Sequence, residues 1–289
     1  MGDDNIRAGS GDDRIELETE ESEGVSDEVH GGDGRDNIVN HGESGFRLIF
    51  GGENDDTISA TGGDEGRIYG GSGNDRIGTC CDSQYDVWGG SGNDAIGGSS
   101  ECALVRAFGG SGNDRILSPD EFSSGGSGND LIRFADCGGV AYGDGGDDEI
   151  RGGEQPVELH GGSGDDELIG GFDDGNDKIF GDRGDDMLTG REGADSFDCG
   201  PGRDTITDFN EAEGDTRTAD CENLLDDISA SNDDNATTGN LSTPSNETAV
   251  EGFMSTNDEA SSEALTTAMI TTTTRSSNNE TTTAPEEME

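Results

Sequence analysis

The sequence predicts an all-β fold, a solenoid of short parallel strands wound around a thin core. Three observations predict it. A six-residue glycine-rich run ending in Asp recurs in phase, as in Gly31-Gly32-Asp33-Gly34-Arg35-Asp36 and Gly70-Gly71-Ser72-Gly73-Asn74-Asp75. Two residues after each Asp stands an apolar residue, Ile38 and Ile77 in these copies. The hydrophobic content is 27%, too little for an ordinary globular core, which draws on roughly 45–50%.

The repeat reads G-G-x-G-x-D-x-U-x with U apolar. It recurs in full at Gly89–Ile96, Gly109–Ile116, Gly125–Ile132 and Gly161–Leu168, and in imperfect form elsewhere, fourteen copies in all. Glycines permit a tight turn with positive φ, so that backbone carbonyls converge. The sixth-position Asp adds a carboxylate, and hard oxygen donors of this kind suit Ca²⁺. The apolar residue opens a short strand whose side chain points inward. On these residues the chain resembles the RTX (hemolysin-type) calcium-binding proteins, over about Gly2 to Leu225. The resemblance implies a parallel β-roll: six-residue loops turn the chain, short strands fill two parallel sheets, and Ca²⁺ sits between loops of successive coils.

The sixth-position acids are Asp4, Asp13, Asp36, Asp56, Asp75, Asp94, Asp114, Asp130, Asp148, Asp166, Asp177, Asp186, Asp195 and Asp204. All but Asp4 are taken as metal ligands. Nine residues make half a coil, so a step near 18 returns to the same edge of the roll. The steps from Asp36 to Asp166 run between 16 and 20, which stacks these loops along one regular edge. Asp13, Asp186 and Asp204 join it; Asp4, Asp177 and Asp195 fall on the other. Irregular turns at 40–46, 79–85, 118–122 and 152–157 build the remainder of that second edge. Asn54 in a glycine position and the 16-residue step to Asp130 are the weak points of the regular edge.

Strand alternation assigns an inward row Ile38, Ile58, Ile77, Ile96, Ile116, Ile132, Ile150 and Leu168, faced by Val29, Ile49, Ile68, Val87, Ala107, Ala141 and Leu159. One residue further on, His30, Phe50, Tyr69, Trp88, Phe108, Tyr142 and His160 point outward and stack between coils. They shield the sheet, or else form an aromatic strip for sugar rings.

Six cysteines in an acidic chain suggest an oxidising compartment. Coils about 4.8 Å apart let Cys102 pair with Cys80 or Cys81 and leave Cys137 unpaired. Residues 199–221 resemble the terminal segment of secreted RTX-like proteins, where the last repeat runs into a cap. That resemblance implies a Cys199–Cys221 disulfide closing the roll. The expected domains are therefore a calcium-binding roll over 1–198, a disulfide-closed C-terminal cap over 199–225 and a disordered Ser/Thr/Asn/Glu-rich tail over 226–289. The tail carries sequons at Asn235, Asn240, Asn246 and Asn279.

Sixty-seven acidic against 16 basic residues give a formal charge of −51. That balance argues against nucleic acid and anionic membrane as partners, and no apolar run approaches a membrane span. It also predicts folding coupled to Ca²⁺, because a divalent cation both cancels charge and ties coils together. No signal peptide is visible, and Met1 precedes half a repeat, as expected of a fragment. No H-E-x-x-H, G-x-S-x-G or phosphate-binding glycine loop is present. The main reading is a non-enzymatic, secreted or cell-surface calcium-binding protein with a structural or adhesive role. Its partners are calcium ions and, as a candidate, extracellular polysaccharide or cell-surface components. The alternatives are the calcium-dependent folding module of a larger secreted hydrolase or toxin, and a carbohydrate- or ice-binding surface protein.

Overall fold

The computed structural model of the protein describes residues 3–17, 26–41, 45–61, 65–80, 84–98, 104–117, 119–135, 138–172 and 175–224. Twenty-four strands among them form two sheets of twelve, and the chain crosses from one sheet to the other at each successive strand. One sheet runs from β1 (Asn5–Ser10) to β23 (Thr216–Arg217), the other from β2 (Arg14–Leu17) to β24 (Asn223–Leu224). Each coil lies parallel on the coil before it. Thus β7 (Glu65–Ser72) pairs with β9 (Gln84–Ser91), and β8 (Arg76–Cys80) pairs with β10 (Ala95–Gly98). This is the parallel β-roll that the repeat implies.

Register follows the repeat. Ile58, Ile77, Ile96, Ile116, Ile132, Ile150 and Leu168 stand in direct register in one sheet, all 0–1% exposed. The row continues through Leu188 and Ile206. The facing row from Val29 to Leu159 is equally buried and runs on to Ile179 and Phe197. A single inward hydroxyl, Ser123, stands in that row between Ala107 and Ala141.

The second edge differs from expectation at the ends of its turns. Asn40, Phe46, Thr79 and Tyr85 lie in strands, because strands on that side run longer than the three residues of a minimal repeat. A second inner row results, so the core near β9 is wider than a double row. Tyr85 is fully buried and accepts a hydrogen bond from Asn40 Nδ2 at 2.9 Å. Arg47 is buried two coils earlier at the same register position, with Gly66 between them and Nε 3.2 Å from Asp27 Oδ2. Residues 152–156 form a turn as expected, and Val157 opens β17 (Val157–Ser163). Ser118 lies outside the described residues. So do the side chains of Cys80, Cys81, Cys102 and Cys137, and with them the pairing expected there; the tail over 226–289 also lies outside.

On the outer face the rings stack without a break from His30 to Phe180. Centroids of His30, Phe50, Tyr69, Trp88 and Phe108 follow one another at 4.6, 5.0, 4.7 and 5.2 Å, with planes within 10° of parallel. Tyr142, His160 and Phe180 continue at 4.4 Å spacings. Between the two runs the register position is Ser124, which has no ring. Phe122, expected in a turn, lies in β13 (Pro119–Ser127) two residues earlier on the same face and tilts into the gap. Phe122→Ala is expected to split the stack and cost about 2 kcal/mol, read as a lower urea midpoint at saturating calcium. An unchanged midpoint would show that the rings contribute no stability as a set.

Candidate metal centre

Each loop of the regular edge joins a strand of the first sheet to one of the second, as Gly73-Asn74-Asp75 joins β7 to β8. Its second and third glycines take positive φ, a region that favours glycine: Gly71 has φ 118° and Gly73 φ 128°. The first glycine is required for a different reason. A Cβ on Gly70 would lie 2.4 Å from Asp75 Oδ2 and 2.5 Å from the Gly89 carbonyl of the next coil. The same pair of oxygens, a carboxylate and a next-coil carbonyl, flanks Gly31, Gly51, Gly89, Gly109, Gly143 and Gly161.

The aspartates themselves form one continuous row. The amide of each donates to Oδ1 of the next: Asp13 to Asp36, then Asp56, Asp75, Asp94, Asp114, Asp130, Asp148, Asp166, Asp186 and Asp204, at 2.7–2.9 Å. All eleven residues assigned to the regular edge by spacing are in it. Neither weak point breaks it. Asn54 adopts φ 75° in place of glycine, a conformation Asn tolerates. The 16-residue step is absorbed because only Ser118 separates β12 (Arg115–Leu117) from β13.

A second row runs outside the first. Asp55 Oδ1 accepts from the Asn74 amide, Asn74 from Asn93, and so on through Asn113, Asn129, Asp147, Asp165 and Asp185 to Arg203. Here the side chain reaches forward to the following coil, whereas the inner aspartates reach back.

Oδ1 is therefore occupied and Oδ2 is not. Oδ2 of Asp36, Asp56, Asp75, Asp94, Asp114, Asp130, Asp148, Asp166, Asp186, Asp195 and Asp204 is buried with no hydrogen-bond partner among the described residues. A buried carboxylate oxygen without a donor is costly. Burial accordingly pushes the carboxyls of Asp94, Asp130, Asp148, Asp186 and Asp195 up to about 7, and those of Asp56, Asp75 and Asp166 to about 6. Neighbouring aspartates add to the rise, and the backbone amide on Oδ1 opposes it. Among the described residues no three His, Cys, Asp or Glu side chains gather as a metal-binding cluster. The donors are instead one carboxylate per loop and main-chain oxygens, all hard, which fits calcium and not a soft metal.

On the second edge the Val157 amide donates to Asp177 Oδ1, Asp177 to Asp195, and Asp195 to Asp215, each at 2.9 Å. Asp4 stands apart at the first coil, exposed, its amide 3.0 Å from Asp27 Oδ1. Asp27 and Asp215 were not among the predicted residues. Asp215 follows a single glycine and no repeat, and its only signal is the 20-residue step from Asp195. The Cys199–Cys221 disulfide is present, with a Cα separation of 5.2 Å.

The family model of the RTX calcium-binding nonapeptide repeat (4 copies) matches residues 1–18, 41–65, 66–78, 142–175 and 173–206. Between residues 78 and 142 the Asp row is geometrically the same as within the matched stretches. No curated protein matches the chain.

Proposed function

We propose, from the match of five stretches of the chain to the RTX calcium-binding nonapeptide repeat, a non-enzymatic, secreted or cell-surface protein whose roll folds on Ca²⁺ and serves a structural or adhesive role. The ligands would be the carboxylates of Asp13, Asp36, Asp56, Asp75, Asp94, Asp114, Asp130, Asp148, Asp166, Asp186 and Asp204 on the regular edge, with Asp177 and Asp195 on the second. Glycine carbonyls of adjoining loops would supply the remaining oxygens. The single observation that carries this reading is the row of buried, partnerless Oδ2 atoms facing next-coil carbonyls. Like-charged oxygens so placed repel until a cation stands between them. When bound, calcium supplies that charge and links consecutive coils.

Extracellular calcium modules bind at about 10⁻⁴–10⁻³ M, so a chain of this kind stays open at cytosolic calcium and sets outside. The disulfide supports an oxidising destination. Among the described residues no helix is long and apolar enough to cross a membrane. His30 and His160 are engaged with Glu28 and Glu158, which supports a role in the surface and not in chemistry. For a polysaccharide partner, the ring stack offers edges and not faces, since each face is covered by the next ring; shielding of the sheet is the role it supports.

Equilibrium dialysis against calcium tests the ligand assignment. The wild-type chain is expected to take up a row of ions, and Asp94→Asn to lower the count; a chain that binds none would refute the proposal. Location is tested by fractionating the producing cells, where recovery confined to the cytoplasm would refute it.

Protons substitute for calcium in part. The folded state holds protons on these aspartates more tightly than the unfolded chain, where they titrate near the ordinary 3.8. Metal-free stability is therefore greatest below about pH 4 and is lost as pH rises through 6 to 7. In chelator, sheet circular dichroism is expected to grow as the pH falls from 8 towards 4. A signal that shrinks on acidification would contradict the assignment of these raised carboxyls to the folded state.

A further inference from the structure

We infer that the main-chain carbonyl of Cys199 completes the last calcium site of the regular edge, and that the Cys199–Cys221 disulfide holds it there, so that this one site forms fully only in the oxidised chain. The inference rests on the proposed role of the Asp row and adds to it a donor outside the glycine pattern and a dependence on redox state.

At Gly31, Gly51, Gly70, Gly89, Gly109, Gly143 and Gly161 the oxygen facing the orphaned Oδ2 belongs to the first glycine of the following loop. The space at Gly161, for example, is flanked by Asp166 Oδ2 at 2.4 Å and the Gly181 carbonyl at 2.7 Å. At Gly181 the flanking atoms are Asp186 Oδ2 at 2.7 Å and the carbonyl of Cys199 at 2.5 Å. Cys199 thus opens the final loop, Cys199-Gly200-Pro201-Gly202-Arg203-Asp204, in the position glycine holds elsewhere. Both Asp186 and Cys199 are fully or nearly fully buried.

What holds this carbonyl differs from what holds the others. An interior loop is pressed between loops on both sides. Among the described residues beyond Cys199 the edge has no further glycine loop, and the three strands that follow, β22 (Thr205–Ile206), β23 and β24, are two residues long. Cys221 takes the position of the missing neighbour, one coil step away at 5.2 Å between Cα atoms. The bond therefore stands where the next loop would.

The second edge shows that an edge can end otherwise. At Gly190 the Asp195 Oδ2 is 2.3 Å from the Cβ position, but the next nearest group is the Phe197 ring, and no carbonyl faces it at that range. There the amides of Gly190 and Arg191 are taken up by Asp208 at 3.0 and 2.7 Å. That edge closes on protein hydrogen bonds; the regular edge keeps its oxygen pair to the last loop and staples it.

The test is a calcium-binding isotherm on the full chain, with the wild type compared with Cys199→Ser/Cys221→Ser, which keeps the main-chain carbonyl and leaves no new thiol. The variant is expected to keep its sheet circular dichroism at saturating calcium while one ion binds about tenfold more weakly. Asp186→Asn should weaken the same ion, and the triple variant should lose no second one. Identical isotherms for wild type and the Ser variant would overturn the inference, as would loss of two separate ions in the triple variant. Loss of the whole sheet in the Ser variant would overturn it too, since the staple would then govern the roll and not one site. A wild-type chain that binds no calcium would instead refute the calcium reading of the Asp row.

Discussion

Chelation of calcium near neutral pH is expected to abolish the sheet circular dichroism of this protein, and re-addition to restore it. The contributions of the sites add. Ten amide-to-carboxylate contacts link the eleven aspartates of the regular edge, one for each gap in which an ion would sit. At a free concentration tenfold above Kd, one site stabilises the folded state by about 1.4 kcal/mol. Ten such gaps would contribute about 14 kcal/mol, comparable with the whole stability of an ordinary domain. Without the ions the folded state keeps eleven buried Oδ2 atoms with no donor in a chain of formal charge −51. A full sheet signal after exhaustive dialysis against chelator would show that the two hydrophobic rows and the backbone ladders suffice alone.

The second large effect is expected from a single methyl group. Gly89→Ala would put a Cβ 2.4 Å from Asp94 Oδ2 and 2.7 Å from the Gly109 carbonyl, with no flexible side-chain end to yield on the carbonyl side. Either Asp94 turns out of the row or two coils part, and both remove the oxygen pair. A loss of about 3 kcal/mol or more is expected, seen as a higher calcium midpoint for folding. Trp88 is the neighbouring residue and the sole tryptophan, so its fluorescence reports on this coil directly. Gly97→Ala is the control. Its Cβ would meet Leu117 Cβ at 3.6 Å, an ordinary contact, and the change should be small or slightly stabilising. Equal losses from the two substitutions would show that glycine acts through chain flexibility and not through the space kept for oxygen.

The parts of the fold legible in the sequence are those the repeat writes locally. Each Asp and the Ile two residues after it announce a loop and a strand, and a step near 18 is enough to sort Asp75 from Asp177 by edge. The outward row from His30 to Phe108 was legible for the same reason. Its continuation through Phe122 was not, because the register position holds Ser124 and the ring comes from two residues earlier. Tyr85 and Arg47 were hidden by a different cause. Strands on the second side run long, so residues that look like turn residues point into the core. Asp215 lacks the glycines that mark its counterparts, although it takes the same hydrogen bond from Asp195. The use of Oδ1 by an amide and the orphaning of Oδ2 depend on the coil above, and no single repeat can reveal them.

The opposed reach of the two side-chain rows bears on load. Asp75 clamps backward onto Asp56 while Asp55, the residue before Asp56, clamps forward onto Asn74, and from Asp55 to Arg203 each junction carries one bond of either sense. Sliding one coil past the next in either sense stretches at least one of the two bonds. Shear between these coils is therefore opposed whichever way they are displaced.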